Sequence, residues 1–154
     1  MAEHIVLHVE DSLDDRYLFQ RAAEVAGVNF AVYAVEHGQE AVDYLAGTGK
    51  YTRREQFPLP GLLLLDLKMP VMDGFELLEW LRKHRLKDLP AVVFTSSYQH
   101  VDVKRGYEEG AIAFVTKPGM LDELVCIARA LDRCFTAKGV NCSALETLPQ
   151  FKRA

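Results

Sequence analysis

The sequence predicts an α/β protein: a doubly wound, five-stranded parallel sheet with strand order 2-1-3-4-5. Three observations carry this reading. Five short apolar runs recur along the 154 residues, helical apolar stripes lie between them, and each run stops abruptly at polar or turn chemistry. Strands alternating with helices imply parallel pairing, and right-handed crossovers place helices on both faces of the sheet. The run Leu62-Leu63-Leu64-Leu65 has no polar alternation, as expected for a strand buried on both sides.

The elements follow in order. Ile5-Val6-Leu7-His8-Val9 is the first strand. Ser12 is a suitable N-cap for the first helix, and Asp14 and Asp15 suit its first turn. Leu18, Phe19, Ala22, Ala23, Val25 and Ala26 give that helix its apolar stripe, closed by Gly27. Phe30-Ala31-Val32-Tyr33-Ala34-Val35 reads as strand two, residues 37–45 as helix two, and residues 48–60 as an extended polar loop. Strand three ends at Asp66. Helix three begins near Asp73 and packs through Phe75, Leu77, Leu78 and Leu81. Ala91-Val92-Val93-Phe94 is strand four and runs into Thr95-Ser96-Ser97. A weakly apolar helix four covers residues 99–109, with Gly110 beyond it. Ala113-Phe114-Val115-Thr116 is strand five, which Pro118 stops after Lys117. Helix five covers residues 120–135 and carries Leu121, Leu124, Val125, Ile127, Ala128 and Leu131.

Ligands of open parallel sheets bind beyond the carboxyl ends of the strands. Here those ends deliver Glu10-Asp11, Asp66, Thr95 and Lys117. With strands one and three adjacent, three carboxylates share one crevice. Charges about 5 Å apart repel by roughly 3 kcal/mol per pair at an effective dielectric of about 20. Such a cluster needs a cation or raised pKa values, and all-oxygen ligands suit a hard ion such as magnesium. A nucleophilic carboxylate, metal ligands, a hydroxyl and an ammonium together form the equipment of phosphoryl transfer.

Composition narrows the classes further. The chain is 49% hydrophobic and 26% charged, and its length fits one domain with a real core. A net charge of -4 argues against a nucleic-acid surface. No apolar stretch approaches the roughly 20 residues of a membrane span. Met1-Ala2-Glu3-His4 lacks the features of a signal peptide, so a cytoplasmic location is expected. The three cysteines, Cys126, Cys134 and Cys142, are spaced by eight. Eight residues of helix span about 12 Å, too far for Cys126 and Cys134 to share an ion or a disulfide. They read as core or surface thiols. Residues 137–154 hold Gly139, Asn141 and Pro149 among scattered apolar residues, and read as a disordered or loosely docked tail. A partner contact through Leu145, Leu148 and Phe151 is the other reading.

Taken together, Glu10-Asp11, Asp66 before Met69-Pro70 and Asp73-Gly74, Thr95, and Phe114 with Lys117-Pro118 resemble the receiver domain of two-component response regulators. The resemblance spans residues 4–136, with 137–154 as a tail and no output domain expected. It implies a flavodoxin-like fold with Asp66 as phosphoacceptor, drawing on a sensor histidine kinase or a phosphotransfer protein. It further implies that Asp11, Glu10, Asp66 and the backbone carbonyl of Lys68 hold magnesium, that Thr95 and Lys117 meet the phosphoryl oxygens, and that Thr95 and Phe114 form the switch. On this reading Phe114 turns inward on activation, and a surface near residues 101–113 changes its affinity for partners. Such a protein is not an enzyme beyond promoting its own phosphorylation and dephosphorylation. The loop after helix two is similar to that of single-domain regulators of bacterial phytochrome-type kinases. Those relatives imply a homodimer through helix four, strand five and helix five.

Departures and rivals are also legible. Glu10 stands where many family members have Asp, and Lys68 lies beside the phosphoacceptor. A haloacid-dehalogenase-type phosphatase needs a second Asp two residues after the nucleophile, where this chain has Lys68. A flavin-binding protein of this topology needs a phosphate-cradling loop after strand one, where Glu10-Asp11 would repel a phosphate. The remaining alternative is a receiver-like module that binds partners without phosphorylation. His8 and Trp80 read as packing residues, Arg53-Arg54 as a solvated loop face, and Asp14 and Asp73 as helix first-turn charges.

Overall fold

The computed structural model describes residues 4–86, 88–96 and 98–154; the polar position read at Ser97 and the terminal segment 1–3 lie outside the described residues. Strand β1 (His4–Val9) leads through helix α1 (Leu13–Ala26) to β2 (Phe30–Val35) and α2 (Gly38–Ala46). Then come β3 (Leu62–Leu65), α3 (Gly74–Lys83), β4 (Ala91–Thr95), α4 (His100–Glu108), β5 (Ala113–Thr116) and α5 (Leu121–Cys134). The first five strands are parallel in the order β2-β1-β3-β4-β5, as expected.

Alternating side chains of one strand feed two separate cores. Leu7, Leu63, Leu65, Val93 and Phe114 face α2, α3 and α4. Val6, Leu62, Leu64, Val92 and Val115 face α1 and α5. That double burial explains the uninterrupted leucine run of β3. The helix ends follow their local chemistry. Ser12 Oγ accepts from Asp15 N at 3.2 Å, and Asp73 with Glu76 forms a reciprocal capping box. On α1 the predicted stripe is narrower than expected: Phe19, Ala22 and Ala23 are buried, whereas Leu18 and Val25 are exposed.

Two segments depart from the sequence reading. The loop 48–60 is built rather than merely extended: a short 3-10 turn, Gly49–Tyr51, buries Tyr51, and Tyr44 Oη donates to Pro58 O. Arg54 is no solvated face, because its guanidinium donates to Tyr44 O and Leu45 O and so satisfies the carboxyl end of α2. The tail is docked. Strands β6 (Phe135–Thr136) and β7 (Gly139–Val140) form a hairpin, a 3-10 helix spans Cys142–Thr147, and β8 (Phe151–Lys152) pairs antiparallel with β5 as a sixth strand. Leu145 is fully buried against the α1 and α5 side. The other apolar residues of the segment, Val140, Cys142, Leu148 and Phe151, are only partly buried, and they follow no period.

Candidate functional site at the carboxyl ends of the strands

The site is assembled by strand register. His8 and Val9 lie beside Leu64 and Leu65, and Asp66 N donates to Val9 O at 3.1 Å, so Glu10 and Asp66 emerge as neighbours. Glu10 N donates in turn to Val35 O, and Lys117 N donates to Thr95 O at 2.9 Å, which ties the ends of β4 and β5 together. Behind Asp66 the chain turns tightly. Gly74 N donates to Leu67 O, and a Cβ on Gly74 would sit 2.4 Å from Asp66 O, so only glycine fits at the start of α3.

Asp66 is 7% exposed; its Oδ1 accepts from Leu67 N at 2.7 Å and its Oδ2 from Lys117 Nζ at 3.2 Å. Glu10 is buried and Asp11 exposed. Carboxylate oxygens of Glu10, Asp11 and Asp66 all lie within 4.8 Å of one another. Lys117 reaches into this group, contacting Glu10 Oε1 directly and Asp15 Oδ2 at 2.8 Å. Burial works against the Lys117 ammonium, but hydrogen bonds to Asp15 and Glu10 and the charge of Asp66 outweigh it and hold its pKa above the ordinary lysine range. The Glu10 carboxyl is pushed up to about 7, by burial first and by Asp66 next, against the pull of Lys117. One ammonium therefore does not balance the acidic group. A set of three hard oxygen donors short of positive charge fits a divalent cation.

Thr95 is buried at the end of β4, opposite Thr116 of β5. Lys68 is exposed in the loop after Asp66 and borders an open cavity of about 510 Å³ with Met69, Asp73 and Arg105. Phe114 is fully buried, with Tyr98 edge-on at 6.1 Å. Its ring points inward, the orientation that the resemblance assigns to activation. His8 packs at 4.9 Å against Phe19, and Trp80 stacks on His84, in line with their readings as packing residues. Asp15 is the group the sequence reading left at the helix terminus. Its side chain belongs to the site because Ser12 starts α1 immediately after Glu10-Asp11. That brings the first helical turn over the end of β5.

The geometry has close counterparts among known proteins. Residues 6–129 match the model of the response regulator receiver domain. Response regulator Rcp1 of Synechocystis sp. is 32% identical over 129 residues, covering 83% of this chain and 86% of its own. The crystal structure of the manganese-bound form of Rcp1 superposes with a TM-score of 0.72 at 32% identity, covering 84% of this chain and 91% of that one. The phosphorylated cyanobacterial phytochrome response regulator RcpA gives a TM-score of 0.78 at 30% identity, covering 90% and 98%. Matched along most of its length in sequence and in fold, this chain belongs to the response regulator receiver domain family.

Proposed function

We propose that Asp66 accepts a phosphoryl group from the phosphohistidine of a sensor histidine kinase or a phosphotransfer protein, and that the modified site changes the affinity of the chain for its partners. The observation that supports this best is the Asp66 carboxylate, 7% exposed at the end of β3, with the Lys117 ammonium 3.2 Å away. In the transfer an Asp66 oxygen bonds to phosphorus as the bond to the histidine nitrogen breaks. Lys117 pairs with the phosphoryl oxygens, and the Thr95 hydroxyl donates to one of them. Glu10, Asp11, Asp66 and the backbone carbonyl of Lys68 would hold magnesium, whose chemistry there is charge neutralisation on the transferring oxygens.

Phosphorylation adds about -1.5 to -2 charges and three strong acceptors at Asp66. Thr95 and Lys117 are the groups drawn toward them. Phe114, buried with Tyr98 edge-on against it, is the aromatic of the switch together with Thr95, and Tyr98 and the start of α4 rearrange around it. The result is a shift between two populations around α4 and β5, not a new fold. On this reading the chain promotes only its own phosphorylation and dephosphorylation and works in the cytoplasm. Its likeness to a phytochrome regulator supports a phytochrome-type kinase as donor. Because β8 occupies the outer edge of β5, a homodimer using α4, β5 and α5 would include the tail in its interface.

The test is incubation with magnesium and acetyl phosphate, recording intact mass for the wild type and Asp66→Asn. One added phosphoryl group, about 80 Da, labile in base and absent from the variant, is the expected outcome. A folded, metal-binding protein that takes no phosphoryl group from acetyl phosphate or any histidine phosphodonor would instead be a phosphorylation-independent interaction module.

A further inference from the structure

The tail brings two cysteines together. Helix α5 ends at Cys134, and the chain reverses through the hairpin that pairs Phe135 with Val140 and Thr136 with Gly139. Asn141 N donates to Cys134 O at 2.8 Å, closing the hairpin on the last turn of α5. Cys142 follows at once, and its side chain packs against the apolar cluster that contains Cys134. The two sulfurs differ in access. Cys134 is fully buried, with Sγ 3.4 Å from Ala130 O. Cys142 is partly exposed and borders an open cavity of about 350 Å³ together with Ile112, Asn141, Glu146 and Phe151. Cys126 lies apart, exposed on α5.

We propose that Cys134 and Cys142 are a peroxide-oxidisable dithiol that closes to an intramolecular disulfide and fastens the C-terminal segment to α5. The neighbouring Cys134 thiol lowers the pKa of Cys142, while Cys142 and burial raise that of Cys134. Cys142, the accessible and more acidic sulfur, therefore reacts first. Its thiolate attacks one oxygen of hydrogen peroxide; the O–O bond breaks, hydroxide leaves, and Cys142 becomes a sulfenic acid. The Cys134 sulfur then attacks the Cys142 sulfur. The S–O bond breaks, the Cys134 proton goes to the departing hydroxide as water, and the S–S bond forms. Overall two thiols and one peroxide give one disulfide and two waters. The bond ties down the root of the segment that carries Leu145 and β8.

The decisive experiment treats the whole protein with hydrogen peroxide, alkylates remaining thiols in denaturant, and maps the peptides without reduction. The alkylatable thiols are expected to fall from three to one, and a peptide joining Cys134 to Cys142 should appear and vanish with dithiothreitol. Cys126→Ser should keep that peptide, and Cys142→Ser should lose it. The wild-type map decides the matter even if a variant folds poorly. Cys134 and Cys142 both alkylated after Cys126 has been oxidised would overturn the proposal. So would a sulfinic acid at Cys142 beside a free Cys134, or links made only through Cys126.

Discussion

The Asp15 carboxylate meets the Lys117 ammonium more closely than the Asp66 carboxylate does, at 2.8 Å against 3.2 Å. Asp15 thus competes with Asp66, and with any group attached to it, for the buried Lys117 ammonium. Its side chain is 38% exposed, so solvent screening limits the pairing to less than about 1 kcal/mol. Asp15→Asn should therefore cost little thermal stability while leaving Lys117 freer for incoming phosphoryl oxygens. Phosphorylation by acetyl phosphate should quicken about two- to fivefold, the rate equivalent of that energy. Rates measured by intact mass check this. A slower Asp15→Asn would mean that the pairing aims Lys117 instead of restraining it.

Metal affinity should fall as the solution is acidified. The Glu10 carboxyl, pushed up to about 7 by burial and by Asp66, holds a proton that a divalent cation must displace. Below pH 7 the apparent affinity for magnesium or manganese should weaken by about tenfold per pH unit. Calorimetric titrations at pH 6 and pH 8 measure the difference. Glu10→Gln should bind more weakly at pH 8 and show a flatter profile. A wild-type affinity equal at both values would mean that Glu10 carries no proton at neutrality.

His8 makes the fold itself acid-sensitive. Its imidazole is fully enclosed beside Phe19, with no hydrogen-bond partner for Nδ1 among the described residues, and burial and then Lys117 lower its pKa to about 3. The unfolded chain binds this proton near pH 6.5 and the folded one does not, so stability falls as the pH drops from 6.5 toward 3. The loss is about 1.4 kcal/mol per pH unit, on the order of 4–5 kcal/mol in all. Glu10 opposes it: a carboxyl raised in the folded state contributes stability at low pH that is lost as the pH rises from 4.5 to about 7. Wild-type stability in metal-free buffer should change little between pH 7 and 5. His8→Leu should become more stable over that range as the Glu10 contribution emerges. Denaturant titrations across the range measure both slopes, and parallel curves would remove His8 from the account.

How much of this was legible in the sequence depended on whether the cause was local. Leu62–Leu65 followed by Asp66 announces a doubly buried strand and its terminal carboxylate, because strand burial and the loop after it are both written in adjacent residues. Ser12, Asp73 and Gly27 mark helix ends for the same reason. Asp15 was legible as a helix residue but not as a partner of Lys117, which lies 102 positions away and is reached only through the register of β1, β3, β4 and β5. Helical spacing separated Cys126 from Cys134 but said nothing of Cys142, because the helix stops at Cys134 and the hairpin doubles back. The inward ring of Phe114 was hidden too, since residue type does not specify a rotamer.

The tail offers the sharpest test of what holds this fold together. Leu145 is fully buried among residues of α1 and α5, although it belongs to a segment with no apolar period of its own. Emptying that position should cost about 3 kcal/mol, the usual range for a buried leucine replaced by alanine. In a chain of this size that corresponds to a melting temperature lower by roughly 6–12 °C. A loosely docked tail would lose less than about 0.5 kcal/mol on the same change. The shape of the transition is as informative as its midpoint. If β8 and the 3-10 helix unfold with the sheet, Leu145→Ala shifts one cooperative transition measured by calorimetry. If the tail detaches alone, the main transition stays in place and hydrogen exchange at Phe151 and Lys152 rises well before it. The pairing of Phe151 with Val115, and the hydrogen bond from Tyr107 Oη to Lys152 O at 2.6 Å, favour the single transition, because they fasten the tail to β5 and α4 as well as to α5.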